Sequence, residues 1–306
     1  MILENSDTKA GYVAIVGAPN AGKSTLMNEI LGTKISIVSR KAQTTRARMV
    51  GIYTEDKTQI VFIDTPGLFQ PKKRLEKAMV SSIWSGIEDA NVVLVLFDAS
   101  KNRIDGTTKH LIKDLKETQS GSSKKIVLAL NKVDQIKKDT LLKLATEFAS
   151  HDLFDDIFMI SALNRDGVDD LIKTLEAKMP SSPWFYEEDQ VTAMPGKLYA
   201  AEVTREKIFN SIHDEIPYNL TVETDSYEDF EDGSLKINQT VYVKANNHKG
   251  IIIGHKGETL KKIGTEARLE LKETLMKNVH LKIFVKVKPN WQNDIEHYEN
   301  MGLEHF

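Results

Sequence analysis

The sequence predicts an α/β domain, with a mainly parallel sheet and helices on both of its faces, followed by a smaller α+β domain. Between Gly11 and Met179, short apolar runs alternate with helical patterns, which is typical of parallel sheets. After Lys197 the order changes to helix, strand, strand, glycine-rich turn, helix and strand. A chain of 306 residues is long enough to build two hydrophobic cores.

Five apolar runs are the predicted strands of the first domain. They are Tyr12–Val16, Ile60–Ile63, Val92–Phe97, Ile126–Leu130 and Ile157–Ile160. We expect its helices to begin near Lys23, Arg74, Gly106, Asp139 and Val168. Asp139 is the expected N-cap of the fourth helix, because a carboxylate can accept the free N–H groups there. Pro180 ends the last helix, since proline cannot continue it.

The second domain has its own predicted elements. A helix runs to about Ile212, the strands are Leu220–Thr224, Leu235–Lys244 and His280–Val287, and a further helix is Thr259–Met276. We therefore predict a first domain at residues 1–180, a linker at residues 181–196 and a second domain at residues 197–306.

Composition excludes several kinds of chemistry. The chain has no cysteine, which rules out disulfides, thiolate zinc sites and cysteine nucleophiles. Its first residues lack the basic and then apolar pattern of a signal peptide. Its longest apolar run, Val92–Phe97, is far shorter than the ~20 residues that span a bilayer. We expect a cytoplasmic protein.

Charge is distributed unevenly along the chain. The net charge is −3, but residues 187–232 carry thirteen acidic and three basic side chains, a balance of −10. Residues 236–288 carry twelve Lys or Arg and four Glu, a balance of +8. A basic segment on an acidic chain is either a solvated surface or a nucleic-acid contact. Charge alone leaves both open.

Residues Gly17–Ser24 match the phosphate-loop motif G-x-x-x-x-G-K-[ST], after a predicted strand and before a predicted helix. The glycines let backbone N–H groups converge on phosphates at the start of the helix. Lys23 should reach the β- and γ-phosphate oxygens, and the Ser24 hydroxyl should hold Mg²⁺. The sequence therefore predicts a site for a nucleoside triphosphate.

Three further motifs follow in order, each at the end of a predicted strand. Asp64–Gly67 can bring a carboxylate to Mg²⁺ and the Gly67 amide to the γ-phosphate. Asn131–Asp134 ends with a carboxylate that can accept hydrogen bonds from the N1 and N2 donors of guanine, a pair that adenine lacks. Ser161 and Ala162 can close the base pocket. The predicted nucleotide is therefore GTP or GDP.

The predicted nucleotide-binding residues are the members of these motifs and their neighbours. They are Gly17, Ala18, Pro19, Asn20, Ala21, Gly22, Lys23, Ser24, Thr25, Asp64, Thr65, Pro66, Gly67, Leu68, Asn131, Lys132, Val133, Asp134, Ser161 and Ala162. In this order, the motifs resemble those of the translation-factor-like superclass of GTPases across Gly11–Met179.

Two positions in these motifs bear on hydrolysis. Ras-like enzymes carry a water-orienting Gln directly after the Asp-x-x-Gly motif, where this chain has Leu68, which cannot orient water. Either another group orients the water or hydrolysis waits for a partner. Asn20 resembles the asparagine that coordinates an activating K⁺ in the group of GTPases containing the MnmE, Der and Era families; the alternative is a simple turn residue.

Lys41–Arg46 is predicted to be the first switch segment, in which one threonine closes on Mg²⁺ in the GTP state. The sequence does not choose between Thr44 and Thr45. The predicted Mg²⁺ ligands are Ser24, Thr44, Thr45 and Asp64, and the predicted catalytic residues are Asn20, Lys23, Thr44, Thr45 and Gly67.

The basic segment contains a G-x-x-G turn, Gly254–Gly257, flanked by isoleucines and followed by a helix. In the order helix, strand, strand, helix, helix, strand, this turn indicates a KH domain. Its glycines let a nucleic-acid backbone approach closely, and Lys256 attracts phosphate. The predicted RNA-binding residues are Lys249, Gly250, Ile253, Gly254, His255, Lys256 and Gly257.

A GTPase domain followed by a type II KH domain resembles the Era family of bacterial GTPases, and the resemblance covers nearly the whole chain. It includes Ile35–Arg46 around the first switch and Val285–Trp291 after the last strand. The resemblance implies binding to the 3′ end of small-subunit ribosomal RNA, a role in assembly of the small ribosomal subunit, and peripheral contact with the cytoplasmic face of the membrane. The sequence does not allow a stable protein partner to be predicted, and we expect a monomer.

Two other functions match the sequence less well. A tRNA-modification GTPase needs a folate-binding domain and a C-terminal cysteine, whereas this chain has no cysteine. A membrane scaffold GTPase could bind lipid headgroups through the basic segment. Lipid binding, however, does not require a G-x-x-G turn.

Overall fold

The computed structural model describes residues 7–39, 41, 45–46, 49–69, 71, 73–119, 124–212, 216–294, 297–298, 301 and 303. The chain divides into two units. The first consists of Met1–Ser36, Thr45–Lys72 and Met79–Ala193, and the second of Ile37–Thr44, Lys73–Ala78 and Met194–Phe306. The predicted boundaries at residues 180 and 196 stay predictions.

A six-stranded sheet forms the centre of the first unit. Its strands are β1 (Lys9–Val16), β2 (Met49–Glu55), β3 (Thr58–Asp64), β4 (Val92–Asp98), β5 (Lys125–Asn131) and β6 (Asp156–Ile160). They lie in the order β2-β3-β1-β4-β5-β6, and every neighbouring pair is parallel except β2 with β3. The predicted, mainly parallel sheet is confirmed.

Strand β2 of this sheet is not predicted from the sequence. A glycine within the strand, Gly51, weakens the strand signal. A tight turn with a positive φ of 47° at Asp56 brings β2 back antiparallel to β3. Packing favours the glycine, because a Cβ at Gly51 would lie 2.5 Å from Leu31 Cδ1, at the end of the helix that precedes β2.

Within the described residues of this unit, four α-helices connect the strands of the sheet and a fifth follows β6. They are α1 (Lys23–Leu31), α2 (Arg74–Asp89), α3 (Gly106–Gln119), α4 (Lys138–Ala149) and α5 (Val168–Ala177). Strand β4 is buried at every position, as expected of a strand that is covered on both faces. Its residues Val93, Val95 and Phe97 share one core with α3 and α4 side chains such as Leu111 and Phe148.

The predicted N-cap of α4 is wrong. The helix begins at Lys138 and its N-cap is Lys137, which makes no side-chain capping hydrogen bond. Asp139 lies within the first turn instead. A carboxylate there still interacts favourably with the positive end of the helix dipole, which explains why it marks the helix start without capping it.

The second unit has the six elements of the predicted α+β domain. They are α6 (Gly196–Ser211), β7 (Leu220–Asp229), β8 (Leu235–Val243), α7 (Asn246–Ile253), α8 (Glu258–Leu275) and β9 (Val279–Val287). The sheet has the order β7-β8-β9, with β7 antiparallel and β9 parallel to β8. Side chains from α6, α7 and α8 pack on one face of it in two clusters.

The predicted linker region packs against the first unit up to Thr192. The buried Gln59 side chain accepts hydrogen bonds from the N–H groups of Phe185 and Tyr186 and donates one to Tyr186 O. The Ile52 N–H donates to Val191 O at 2.9 Å, and Thr192 forms a bridge with Gly51. This segment therefore protects the outer edge of β2 from further pairing.

Across the part of the chain that the structure describes, no helix combines the length and the apolar character needed to cross a bilayer.

Candidate functional site: a nucleotide pocket and an RNA cleft

The phosphate loop joins β1 to α1, and distant strands fix its shape. A Cβ at Gly17 would lie 2.2 Å from the backbone oxygen of Leu96 in β4. Gly22 has a φ of 99°, and a Cβ there would lie 2.4 Å from Asn131 Nδ2 in β5. Glycine is therefore required at both ends of the loop by backbone and side chains from elsewhere in the sheet.

Lys23 is buried at the start of α1 with its ammonium over the loop. Its Nζ donates to the carbonyl oxygens of Gly17 and Ala18, both at 3.2 Å. Burial lowers the pKa of Lys23 to about 8, although the nearby Asp64 carboxylate acts to raise it. Phosphate oxygens are stronger acceptors than carbonyls, so an ammonium held here is placed to bind them.

Hydroxyl groups surround the Asp64 carboxylate at the end of β3. Ser24 Oγ donates to Asp64 Oδ2 at 2.6 Å and Ser36 Oγ donates to the same oxygen at 2.7 Å. Thr45 Oγ1 lies 3.1 Å from Ser24 Oγ and 3.5 Å from Asp64 Oδ2. Burial raises the pKa of Asp64, while Lys23 and the three hydroxyls act to lower it.

The other oxygen of this carboxylate marks a place for a cation. Asp64 Oδ1 is buried and has no hydrogen-bond partner among the described residues. An orphaned carboxylate oxygen beside the hydroxyls of Ser24 and Thr45 is the hard oxygen environment that Mg²⁺ prefers. The residues present therefore fit Mg²⁺, with phosphate and water as its remaining ligands.

Of the two threonines in the predicted switch, the structure describes only Thr45. Thr45 is buried in the Asp64 cluster. Thr44 lies outside the described residues, as do Ala42 and Gln43 of the same segment.

The predicted base pocket lies where β5 and β6 end. Asn131 Nδ2 donates to Ala21 O at 2.8 Å, and Asn131 Oδ1 accepts from the Ala162 N–H at 2.9 Å. Ser161 Oγ donates to Asp134 Oδ1 at 2.7 Å, and Asp134 itself is exposed. Asn131 therefore links the phosphate loop to the base pocket, while Asp134 keeps an oxygen for a ligand.

The chain after β3 closes against the phosphate loop. The Leu68 N–H donates to Gly17 O at 3.0 Å, and a Cβ at Gly67 would lie 2.7 Å from Pro19 Cα. The Leu68 side chain is buried in the core of the first unit. It therefore offers neither a polar group nor an exposed position from which to orient a water molecule. The Thr65 hydroxyl donates to Ile15 O at 2.8 Å and so supports the fold.

Three residues of this site are not predicted from the sequence. Ser36 binds the Asp64 carboxylate, and Asn28 holds the Ser36 backbone through both its N–H and its carbonyl oxygen. Asp98, at the end of β4, pairs with Lys132 at 2.6 Å, and Lys132 also donates to Asn20 O. The rule that parallel strands gather functional side chains at their carboxyl ends could have identified Asp98.

The G-x-x-G turn of the second unit joins α7 to α8. Gly254 has φ 74° and ψ 179°, and a Cβ there would lie 2.1 Å from Thr259 Oγ1. His255 and Lys256 are exposed, and Lys256 has a positive φ of 48°. Gly257 has a φ of 83° and open space around it. Gly250, Lys249 and Ile253 belong to α7, so the turn itself is Gly254–Gly257.

A cleft of about 390 Å³ opens beside this turn. It is lined by α8 and by two apolar residues of β9: Gly257, Leu260, Lys261, Gly264, Thr265, Arg268, Leu281 and Ile283. Apolar walls with basic groups at the rim suit the bases and phosphates of a single strand. Leu281, Ile283 and Arg268 are absent from the predicted RNA-binding residues, because β9 is remote from the turn in sequence.

Comparison with known proteins agrees with both halves of this description. Residues 12–132 match the model of a 50S ribosome-binding GTPase family, and residues 215–292 match that of the KH domain. The chain is 48% identical to GTPase Era of Brucella suis over 98% of this chain and 95% of that protein. It is also 48% identical to GTPase Era of Dinoroseobacter shibae, over 97% of this chain and 96% of that one.

Two solved structures match nearly the whole chain. Era of Aquifex aeolicus bound to GDP and AlF4⁻ is 37% identical, with a TM-score of 0.90 over 96% of this chain and 99% of that one. Era in complex with MgGDPNP and nucleotides 1506–1542 of 16S ribosomal RNA is 36% identical, with the same TM-score and the same coverage.

Proposed function

The chain belongs to the Era family of GTPases, and from this we propose that it is a GTP-hydrolysing switch that binds the 3′ end of small-subunit ribosomal RNA during assembly of the small subunit. The observation that carries the proposal is the presence, in one chain, of a guanine-type nucleotide pocket and a KH turn beside a basic cleft. A GTPase without an RNA partner would need only the first.

Different side chains of the pocket would bind the phosphates and Mg²⁺. Lys23 neutralises charge on the β- and γ-phosphates, and the loop amides bind the same oxygens. Ser24, Asp64 and Thr45 would hold Mg²⁺, which offsets phosphate charge when bound. We propose Thr45 as the switch threonine, since its hydroxyl lies 3.1 Å from Ser24 Oγ.

Hydrolysis needs a group that Leu68 does not supply. We propose that a K⁺ ion held by Asn20 takes part of the developing charge, as an arginine finger does in other GTPases. Asn20 is exposed on the loop, with a φ of 64°. An Asn20→Ala variant should hydrolyse GTP at the same rate in K⁺ and Na⁺, whereas the parent chain should be faster in K⁺. An unchanged ratio of rates would contradict this role.

We infer the RNA target from the relatives that share the second unit of this chain. The 50S-binding family model covers only residues 12–132, whereas the relative with 16S ribosomal RNA matches 96% of the chain. Small-subunit RNA is therefore the better supported target. Action on ribosomal RNA agrees with the predicted cytoplasmic location, and peripheral contact with the membrane stays a prediction.

Filter binding of oligonucleotides from the 3′ end of 16S ribosomal RNA tests the proposal. We expect the double variant His255→Asp with Lys256→Asp to bind about tenfold more weakly at moderate salt, because phosphates must pass both side chains. GTP hydrolysis should not change.

A matched control is Lys109→Asp with His110→Asp, an adjacent exposed pair on α3. It makes the same charge change in the first unit and should leave RNA affinity intact. Equal RNA affinity for both double variants and the parent chain would contradict the RNA-binding role of the Gly254–Gly257 turn.

A further inference from the structure

The outward face of β9 carries a row of basic and aromatic side chains. Alternate residues of a strand point to opposite faces of the sheet. The residues from Val279 to Val287 at odd positions pack with the helices. Those at even positions are exposed, and we call them the outer row: His280, Lys282, Phe284 and Lys286. Phe284 is 53% exposed.

The lysines of the outer row differ from those lysines of the second unit that form ion pairs. Lys207, Lys236, Lys277 and Lys288 each pair with a carboxylate. Within the described ranges, neither Lys282 nor Lys286 has a carboxylate within ion-pairing distance. Their positive charge is therefore available to a ligand.

The spacing of the outer row suits a single nucleic-acid strand. Side chains two residues apart on a parallel strand are separated by about 6.6 Å, so the two lysines lie about 13 Å apart with Phe284 between them. Single strands bind surfaces that combine a positive track with an aromatic ring on which a base can stack. A lone exposed Phe is ordinary, but one flanked by two unpaired lysines on the same face is the minimal form of such a surface.

The outer row is continuous with the RNA cleft through the same strand. Leu281 and Ile283 line the cleft, and Lys282 and Phe284 lie on the reverse face between and beside them. Strand β9 is at the edge of the described sheet, since it pairs with β8 alone. The cleft and the outer row lie on opposite faces of this edge strand. A single RNA strand that leaves the cleft can therefore pass around β9 and reach the outer row.

We propose that the outer row is a second contact for single-stranded RNA, with Phe284 stacking on a base and Lys282 and Lys286 binding phosphates. The proposal rests on the RNA-binding function proposed above and extends the bound RNA beyond the cleft. A lipid surface is the less favoured partner, because membrane binding scales with buried apolar area and one phenyl ring supplies little of it.

Two oligonucleotides of the same 3′-end sequence test this. One is about five nucleotides long, enough for the four that a G-x-x-G loop clamps, and the other is about twelve. For the longer one, Phe284→Ala should weaken binding at least about fivefold, since stacking contributes ~1–3 kcal/mol per base. Lys282→Gln with Lys286→Gln should lower the salt slope by about 1.4, or 0.7 per phosphate contact. For the shorter one, the affinities of Phe284→Ala and of Lys282→Gln with Lys286→Gln should stay within twofold of the affinity of the parent chain.

Two controls separate contact from folding. Leu269→Ala removes a side chain on α8 that is also 53% exposed, and it should not alter the affinity for either oligonucleotide. Phe284→Trp keeps an aromatic face and should retain the affinity for the longer one.

The results separate a failure of the second RNA contact from a failure of RNA binding as a whole. A parent chain that binds neither oligonucleotide removes the RNA-binding function and the outer row with it. If His255→Asp with Lys256→Asp weakens both oligonucleotides while the outer-row variants weaken neither, only the second contact is wrong. It is also wrong if the outer-row variants lose binding to phosphatidylglycerol vesicles but keep their RNA affinity.

Discussion

The two glycine loops of this chain, Gly17–Ser24 and Gly254–Gly257, are both predicted to bind phosphate groups. They differ in which residues constrain the loop backbone. The first is enclosed, since added Cβ atoms at Gly17 and Gly22 would meet β4 and β5. The second is open: Gly254 is constrained by Thr259 in the next turn of chain, and Gly257 has free space around it. The nucleotide loop is thus shaped by residues about 80 to 110 positions away, and the RNA turn by its neighbours.

The difference follows from the two ligands. A triphosphate with Mg²⁺ concentrates several charges in a small volume, so donors must be preorganised and Lys23 must be buried. A nucleic-acid backbone is extended and exposed, so a turn needs only to be thin and positively charged. Substitutions should therefore have larger and more distant effects in the first loop.

The largest effect is expected for Gly17→Ala. The added Cβ would lie 2.2 Å from a backbone oxygen of β4, which no rotamer change can relieve. We expect GTP affinity to fall by more than about a thousandfold, with a stability loss of ~3 kcal/mol. Calorimetry and urea unfolding measure the two. Gly106→Ala, at a helix start with open space, is the control and should change neither. A normal GTP affinity for Gly17→Ala would show that the loop is not held tightly against β4.

Asp134→Asn should have the next largest effect. An amide replaces a carboxylate that accepts from guanine N1 and N2, and hydrogen bonds to charged groups contribute ~1.5–3 kcal/mol each. We expect GTP affinity to fall about a hundredfold while xanthine nucleotides gain, because an amide can donate to the oxygen that xanthine offers. Competition binding with GTP, XTP and ATP measures the change. Equal ATP and GTP affinity in the parent chain would overturn the assignment of the base pocket.

Gly254→Ala should have a moderate and purely local effect. Its φ of 74° and the clash with Thr259 Oγ1 would distort the turn, and we expect about tenfold weaker RNA binding with GTP affinity unchanged. Gly32→Ala is the matched control, since Gly32 also has a positive φ, 62°, but stands in open space in the first unit. A loss of GTP affinity in Gly254→Ala would mean that the turn is not supported locally.

Asp105→Ala should have the smallest effect, because it removes a local contact from the nucleotide unit. The carboxylate accepts from the Thr108 N–H at 2.8 Å at the start of α3, and we expect a loss of ~1 kcal/mol in unfolding free energy with normal GTP affinity. Burial acts to raise the pKa of Asp105, but Lys101 and Thr108 outweigh it and lower that pKa.

The sign of the pH dependence follows from that lowered pKa. The stabilisation is fully present above the unfolded pKa of ~3.9 and is lost as the pH falls through the lower folded value. Urea unfolding of both proteins should give a constant difference between neutral pH and about pH 5, and a shrinking one below about pH 4. A difference that grows with acidity would show that Asp105 is not a charged cap.

The sequence determined the parts of the molecule whose chemistry is contiguous. Gly17–Ser24 predicts a phosphate loop because its glycines, lysine and serine act within one strand-to-helix turn, and the structure places them there. The five parallel strands and the KH element order were predictable for the same reason, since each run carries its own periodicity. Strand β2 escaped because Gly51 serves packing against α1 instead of strand propensity.

Tertiary structure decided which distant residues complete each site. Ser36 reaches Asp64, Asp98 pairs with Lys132, and Asn131 links the base pocket to Ala21 only because the order β3-β1-β4-β5 sets the ends of these strands side by side. In the second unit, register and burial alone divide β9 into Leu281 and Ile283 facing the cleft and Phe284 facing outward. The sequence shows the hydrophobic periodicity of each segment. The order of the strands and the face that each strand buries depend on the free energy of packing the whole sheet.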